Sequence, residues 1–332
     1  MFKRICVVGV GAIGGWMAAR LAQLQGVQVS AVARGDTLMA LQSGPLRLHS
    51  ATGNLEASIQ VSASPAELGP QDLVILAVKA TGLASVAPTL APLLRPDTVV
   101  YTAMNGVPWW YLQGFGGAYA NTPLRSVDPD GAIAKALPSQ HVLGGVVHAS
   151  CSTDAPGVVR HAFGQGLLVG EPSGQPTARA QALHALLEQA GFDATLSTCI
   201  QRDIWYKLWG NMTVNPVSAL TGATTDRIMS DPLVVDFLSA VMQEAKAIGQ
   251  QLGVAIDQNP NDRHAMTRKL GAFTTSMLQD VQSQRPVELD ALVASVYELG
   301  QITGQATPFT ASLLGLARLQ AQTLGLYPKG NG

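Results

Sequence analysis

Lys207, Asn211 and Asn215 recur at i, i+4 and i+8 in the run Trp205-Tyr206-Lys207-Leu208-Trp209-Gly210-Asn211-Met212-Thr213-Val214-Asn215-Pro216. On a helix this spacing puts one ammonium and two amides on one face. Their neighbours are Trp, Tyr, Leu, Met and Val. Polar groups in apolar surroundings are costly unless partnered. A ligand cleft would supply partners; a row turned to solvent would need none. The chemistry such a row suits is carbonyl reduction. Hydride transfer to a ketone leaves negative charge on its oxygen, which an ammonium can stabilise and protonate. Partial burial would lower the lysine pKa toward a useful range. Pro216 disfavours helical geometry at Asn215, so the helix is expected to end or kink there. Glu288 follows Pro286 at the start of a later helical stretch. It could accept a hydrogen bond from a substrate hydroxyl, although Pro and Glu are also ordinary first-turn residues.

A second constellation lies near the N-terminus, where Gly9-Val10-Gly11-Ala12-Ile13-Gly14 forms a G-x-G-x-x-G. An apolar run, Arg4-Ile5-Cys6-Val7-Val8, precedes it and a helical pattern follows, which is the context a dinucleotide loop requires. Gly9 would allow the tight turn, Gly11 the close approach of a pyrophosphate, and Gly14 close helix–strand packing. The free N–H groups of the helix start, from Ala12 and Ile13 onward, would face the phosphates. The second strand ends in Val32-Ala33-Arg34-Gly35-Asp36. A guanidinium there favours a 2′-phosphate, hence NADP(H), although Asp36 is close and a solvated strand-end arginine is the plain alternative.

These residues need a frame. Strand signals at 4–8, 27–33, 72–78 and 98–102 alternate with helical stretches at 12–25 and 83–94, which predicts a parallel, doubly wound sheet. Val- and Gly-rich runs at 142–152 and 157–161 read as an antiparallel hairpin across Asp154-Ala155-Pro156-Gly157, followed by a strand at 166–169. A helix at 178–190 and a short strand at 194–197 complete this half. From about 199 onward strand signals almost vanish, and helical periods cover 201–214, 231–252, 261–279, 286–303 and 309–323. The expectation is α/β: a Rossmann-type doubly wound domain over 1–198 and an all-helical substrate-binding domain over 199–332. The tail Lys329-Gly330-Asn331-Gly332 is expected to be loose.

Bulk properties narrow the function. The chain has 332 residues, too many for one ordinary core. Its net charge of −1, with no basic tract, argues against nucleic acid and anionic membranes as partners. Lys3-Arg4 and the apolar residues after it resemble the start of a signal peptide, but glycines break the run and no A-x-A site follows. No apolar stretch is long enough to span a bilayer. Cys6, Cys151 and Cys199 are odd in number and widely spaced. That argues against a disulfide framework and fits a reducing cytoplasm. The six histidines show no metal spacing, so no metal is expected, and His148 and His161 read as structural.

Taken together, these motifs resemble the ketopantoate reductase (2-dehydropantoate 2-reductase) family nearly end to end. The likeness rests on the glycine loop, Val78-Lys79-Ala80, Asn105-Gly106, the Lys207–Asn215 row, and Ser276-Met277-Leu278-Gln279-Asp280 followed by Glu288. The resemblance implies reduction of ketopantoate by NADPH to (R)-pantoate, toward pantothenate and coenzyme A, at a cleft between the two domains. It makes Lys207 the general acid and Glu288 the carboxylate for the substrate hydroxyl. Asn211 and Asn215 would hold substrate and orient the lysine, and Ser276 would bind the substrate carboxylate. Asn105 would border nicotinamide and substrate, with Gly9, Gly11, Ala12, Ile13, Gly14, Arg34, Lys79 and Glu288 on the cofactor side. Two departures stand out. Trp109-Trp110-Tyr111 follows Val107-Pro108 where many members have a small turn, and Phe273 occupies a position that can hold an amide. The aromatic run leaves open a reductase of another branched or aromatic 2-oxo acid, of the D-2-hydroxyacid dehydrogenase kind, if the rings line a pocket rather than a core. A non-catalytic nucleotide-sensing protein is a further alternative. The apolar helical half could also form a homodimer interface.

Overall fold

The structure is a computed structural model and describes residues Phe2–Pro328. The tail discussed above lies outside the described residues. The chain forms two compact units, Met1–Asn105 with Gly131–Asp203, and Gly106–Asp130 with Ile204–Gly332.

The first unit carries a ten-stranded sheet: β1 Arg4–Val8, β2 Gln28–Val32, β3 Leu46–Ser50, β4 Leu55–Ala57, β5 Gln60–Ser62, β6 Leu73–Leu76, β7 Val99–Thr102, β8 Val142–Ala155, β9 Val158–Gly170 and β10 Asp193–Leu196. The parallel part runs β5-β2-β1-β6-β7-β8, the strand order of a dinucleotide-binding sheet. Its central strands are continuous apolar runs buried on both faces, as parallel strands must be. The helix Ala12–Leu21 buries Trp16, Met17 and Leu21. Trp16 stacks on His161 at 5.4 Å and meets the edge of Phe192 at 4.7 Å, so His161 belongs to the packing.

The expected hairpin is present but longer. β8 and β9 run 14 and 13 residues around Pro156-Gly157, with Gly157 at φ +74°. The separate strand expected at 166–169 is the far end of β9, where β10 pairs in parallel, while β3 pairs with its first residues. The helix expected over 83–94 is instead Ala80–Val86 followed by two single turns, Ala87–Thr89 and Ala91–Leu93, each with a proline in its first positions. Pro88 and Pro92 supply no N–H and each costs a helix interior roughly 3 kcal/mol, and two of them four residues apart break the run into single turns. β3, β4 and β5 were not expected; they are short and mix polar with apolar residues, which weakens the period-two signal.

In the second unit the helices are Ile200–Thr221 after its first turn, Thr225–Ser230, Pro232–Gln251, Pro260–Arg268, Ser276–Gln282, Ser295–Thr303 and Pro308–Thr323. The expected stretch 261–279 divides in two, with Gly271 at φ +63° between the pieces and Thr275 capping the second. The expected end or kink near Asn215 is not a termination, because the helix runs through Pro216 to Thr221. Burial of Met212, Val214, Val217 and Ala219 along this stretch outweighs the roughly 3 kcal/mol that an interior proline costs.

The segment Gly106–Asp130 packs with the helical unit, where a single break at 198/199 would place it in the sheet domain. Its two ends are fixed by hydrogen bonds. Val107 N–H donates to the Ala291 carbonyl at 2.8 Å. The Glu298 carboxylate accepts from the N–H groups of Arg125 and Ser126 at 2.7 and 2.8 Å. Among the described residues no helix is long and apolar enough to cross a membrane.

Candidate active site

In the first unit the register of four adjacent strands collects the predicted cofactor residues at one edge. Val8 pairs with Val32 and with Leu76, and Leu76 pairs with Thr102. Gly9, Ala33, Ala77 and Ala103 therefore all lie just past the carboxyl ends of β1, β2, β6 and β7. Arg34 follows β2, and Lys79 and Asn105 each stand three residues beyond the Leu76–Thr102 pair. The chain builds outward from β1 to β2 on one side and, after crossing from β5 to β6, from β6 to β7 on the other, and such a switch point is where open α/β sheets bind ligands.

The three glycines of the loop have different physical reasons. Gly9 sits at φ +94°, and a Cβ there would stand 2.9 Å from the Val78 backbone nitrogen. A Cβ at Gly14 would lie 2.0 Å from the Gly9 carbonyl oxygen. Both positions are closed to side chains by the protein's own backbone. Gly11 is different: its φ is −87°, and a Cβ would meet nothing within 4 Å. Internal packing does not account for this glycine. Gly11 is also the N-cap of the helix Ala12–Leu21 and contributes no side-chain cap, so the first N–H donors of Ala12 and Ile13 point out of the helix start. These residues fit a dinucleotide pyrophosphate. Arg34 is exposed at the start of the helix Gly35–Ser43, and no carboxylate occupies the strand end itself.

In the second unit Lys207, Asn211 and Asn215 share one row of the helix Ile200–Thr221, as their spacing predicts. Asn215 is buried; Lys207 and Asn211 are half-buried. The row stands beside a core of Trp205, Leu208, Trp209 and Met212. Burial of its ammonium end pulls Lys207 down from its ordinary value to about 8. The Glu288 carboxylate opposes that shift and the Arg263 guanidinium adds to it. Glu288 is therefore within electrostatic reach of Lys207, although far from it along the chain.

Glu288 sits at the entrance of a distorted helix. Its carbonyl accepts from Leu292 N–H at 3.3 Å, and residues Asp290–Ala294 form a π-helical turn leading into Ser295–Thr303. Such turns are frequent at functional sites. This one accounts for Gly106. Gly106 has φ +83°, and a Cβ there would lie 2.4 Å from the Ala291 carbonyl oxygen. Ser276 is exposed as the first residue of the helix Ser276–Gln282, where Thr275 does the capping by accepting from Leu278 N–H at 3.3 Å. The Ser276 hydroxyl is thus not the helix cap.

The aromatic run is core. Trp109, Trp110 and Tyr111 are 4%, 0% and 0% exposed, and Tyr111 packs against Trp205 with centroids 6.2 Å apart. Sequence reading missed Arg263, whose guanidinium lies over the Tyr206 ring at 5.3 Å. The available signal was a glycine, Gly210, in the middle of an otherwise bulky helix.

Residues 5–174 match the family model described as ketopantoate reductase PanE/ApbA, and residues 199–321 match its C-terminal counterpart. The chain belongs to the ketopantoate reductase family. As a member of that family it is an NAD(P)-binding oxidoreductase. Among its relatives is a 2-dehydropantoate 2-reductase of Mesorhizobium japonicum, 42% identical, with 98% of this chain and 99% of that one covered. A solved protein of Ralstonia solanacearum, assigned as a ketopantoate reductase, is 52% identical with a TM-score of 0.93, covering 98% and 100% of the two chains. The 2-dehydropantoate 2-reductase of Methylococcus capsulatus is 28% identical with a TM-score of 0.82, covering 99% of each chain.

Proposed function

We propose that this chain reduces 2-dehydropantoate to (R)-pantoate with NADPH, a step toward pantothenate and coenzyme A. The observation that carries the reading is Lys207, brought by burial to about 8 beside Glu288, on a helix row shared with Asn211 and Asn215. A nicotinamide dinucleotide held by the sheet unit would supply a hydride for the carbonyl carbon of the substrate. The carbonyl π electrons move onto oxygen, and Lys207 gives that oxygen its proton and is reprotonated from water. A donor whose pKa lies near the working pH suits both halves of that exchange. Asn211 and Asn215 hold the substrate and aim the lysine. Glu288 accepts a hydrogen bond from the substrate hydroxyl and also borders the cofactor, Ser276 binds the carboxylate, and Asn105 borders nicotinamide and substrate.

Gly9, Gly11, Ala12, Ile13 and Gly14 seat the pyrophosphate, with Lys79 beside them. Arg34 selects the 2′-phosphate and hence NADPH over NADH. The sheet unit binds cofactor and the helical unit binds substrate, in a reducing cytoplasm that keeps Cys6, Cys151 and Cys199 as thiols. A homodimer completes the proposal: Phe309, Leu316 and Leu319 on the helix Pro308–Thr323 are 46%, 61% and 63% exposed. The reading for an aromatic 2-oxo acid relied on residues 109–111, and their burial in the core removes its motive.

The test is steady-state oxidation of NADPH and of NADH with 2-dehydropantoate and with a panel of 2-oxo acids lacking its hydroxyl. Fast turnover of NADPH with 2-dehydropantoate alone is expected. Binding of NADPH without turnover on any 2-oxo acid would mean a nucleotide sensor instead.

A further inference from the structure

Gly210 interrupts a 22-residue helix that is otherwise rich in bulky side chains. An interior glycine costs a helix roughly 0.5–1 kcal/mol relative to alanine, so its presence needs a reason. The reason is steric. A Cβ at Gly210 would stand 2.5 Å from Arg263 Nε, 2.6 Å from Nη2 and 2.9 Å from Cζ. The guanidinium is seated in the space that a side chain at Gly210 would fill and lies over the ring of Tyr206, one turn earlier, at 5.3 Å. Tyr206 is itself held: its hydroxyl donates to Gln258 Oε1 at 2.9 Å and lies 3.8 Å from Met266 Sδ. Among the described residues no carboxylate pairs with Arg263, and its side chain is half-buried.

The Tyr206–Gly210 row runs directly beside the Lys207–Asn211–Asn215 row on the same helix. A planar, permanently charged fork is therefore built into the wall next to the proton donor, with no internal anion to neutralise it. Its charge reaches Lys207. A 2-oxo acid carries its carboxylate on the carbon adjacent to the carbonyl that Lys207 protonates, and a guanidinium matches a carboxylate in both charge and shape.

We propose that Arg263, seated by Gly210 and Tyr206, is a specificity-determining residue that receives the carboxylate of the 2-oxo acid. The inference rests on the reductase reading above. It gives the carboxylate a charged partner in addition to the Ser276 hydroxyl.

The experiment compares unsubstituted enzyme, Arg263→Gln, Arg263→Lys and Gly210→Ala in steady-state reduction of 2-dehydropantoate and of its uncharged carboxamide. Arg263→Gln is expected to raise KM for the acid roughly tenfold to a hundredfold. KM for NADPH and KM for the carboxamide stay within about twofold, because neither presents a carboxylate to this residue, while any change in kcat that arises through the neighbouring Lys207 falls on both substrates alike. Arg263→Lys recovers part of the loss. Gly210→Ala displaces the guanidinium while favouring the helix, so it raises KM for the acid without lowering the melting temperature. An unchanged KM for the acid in Arg263→Gln, or an equal rise in KM for the carboxamide, overturns the inference and leaves the reductase reading standing. Absence of turnover by the unsubstituted enzyme removes both, and is a separate result.

Discussion

The two units build their sites from different material. In the sheet unit the loop Gly9–Gly14 is made of backbone. Gly9 and Gly14 are fixed as glycines because a Cβ on either would stand 2.9 or 2.0 Å from a neighbouring main-chain atom, and the donors offered are N–H groups of a helix start. In the helical unit the site is made of side chains on an apolar wall, and its key property is the lowered pKa of Lys207. A backbone site is insensitive to most substitutions and intolerant of a few. A side-chain site works through burial and neighbouring charge, so each neighbour adjusts it.

The sharpest way to break that contrast is to remove the central side chain. Lys207→Ala is expected to lower kcat for 2-dehydropantoate by about 10²- to 10⁴-fold, the usual range for a general acid. NADPH affinity, followed by its fluorescence, should stay unchanged because the loop is untouched. A fall in kcat of less than about tenfold would mean that another group protonates the substrate.

The loop is tested by two glycines that look alike in sequence. Gly14→Ala drives a Cβ into the Gly9 carbonyl and should cost about 3 kcal/mol or more of stability in urea unfolding. Gly11→Ala has an ordinary φ of −87° and open space, so stability should hold or rise by about 0.5 kcal/mol. NADPH affinity should nevertheless fall at least roughly tenfold, because the new methyl stands where the pyrophosphate approaches. Unimpaired NADPH binding by Gly11→Ala would separate this loop from the cofactor.

The same contrast decides what could be read in the sequence. The glycine loop, the parallel strands and the row Lys207, Asn211, Asn215 were legible because each depends on residues near one another in the chain. Three things were not. The segment Gly106–Asp130 joins the helical unit through hydrogen bonds to Ala291 and Glu298, which no local pattern announces. The helix through Pro216 goes against local propensity because tertiary burial overrides it. Arg263 is invisible as a site residue until the fold brings it onto Gly210 and Tyr206.

Arg34 sharpens the comparison from the other direction, since it is the side-chain element of a mostly backbone site. It is exposed, so its electrostatic effect is screened by solvent. Arg34→Gln is expected to raise KM for NADPH roughly tenfold while leaving KM for NADH nearly unchanged. Equal losses on both cofactors would show that the residue supports the loop and does not select the 2′-phosphate.

The smallest expected effect is a displacement along the pH axis, and it tests whether neighbours set the lysine. Lys207 donates its proton only when protonated, so kcat/KM for reduction should fall as pH rises through about 8. Glu288 raises that value, so Glu288→Gln should move the descending limb to lower pH, by about one unit. Stability responds to the same titration in the opposite direction. Lys207 has a folded value of about 8 against an ordinary 10.5, so between those limits the unfolded chain binds more protons. This group's contribution to stability therefore rises with pH across that window and is least favourable below it. In Glu288→Gln the lower edge of the window should also move down, which urea unfolding from pH 6 to 10 would record. If the limb and the lower edge stay fixed, burial and the Arg263 charge set the lysine and Glu288 serves only the substrate.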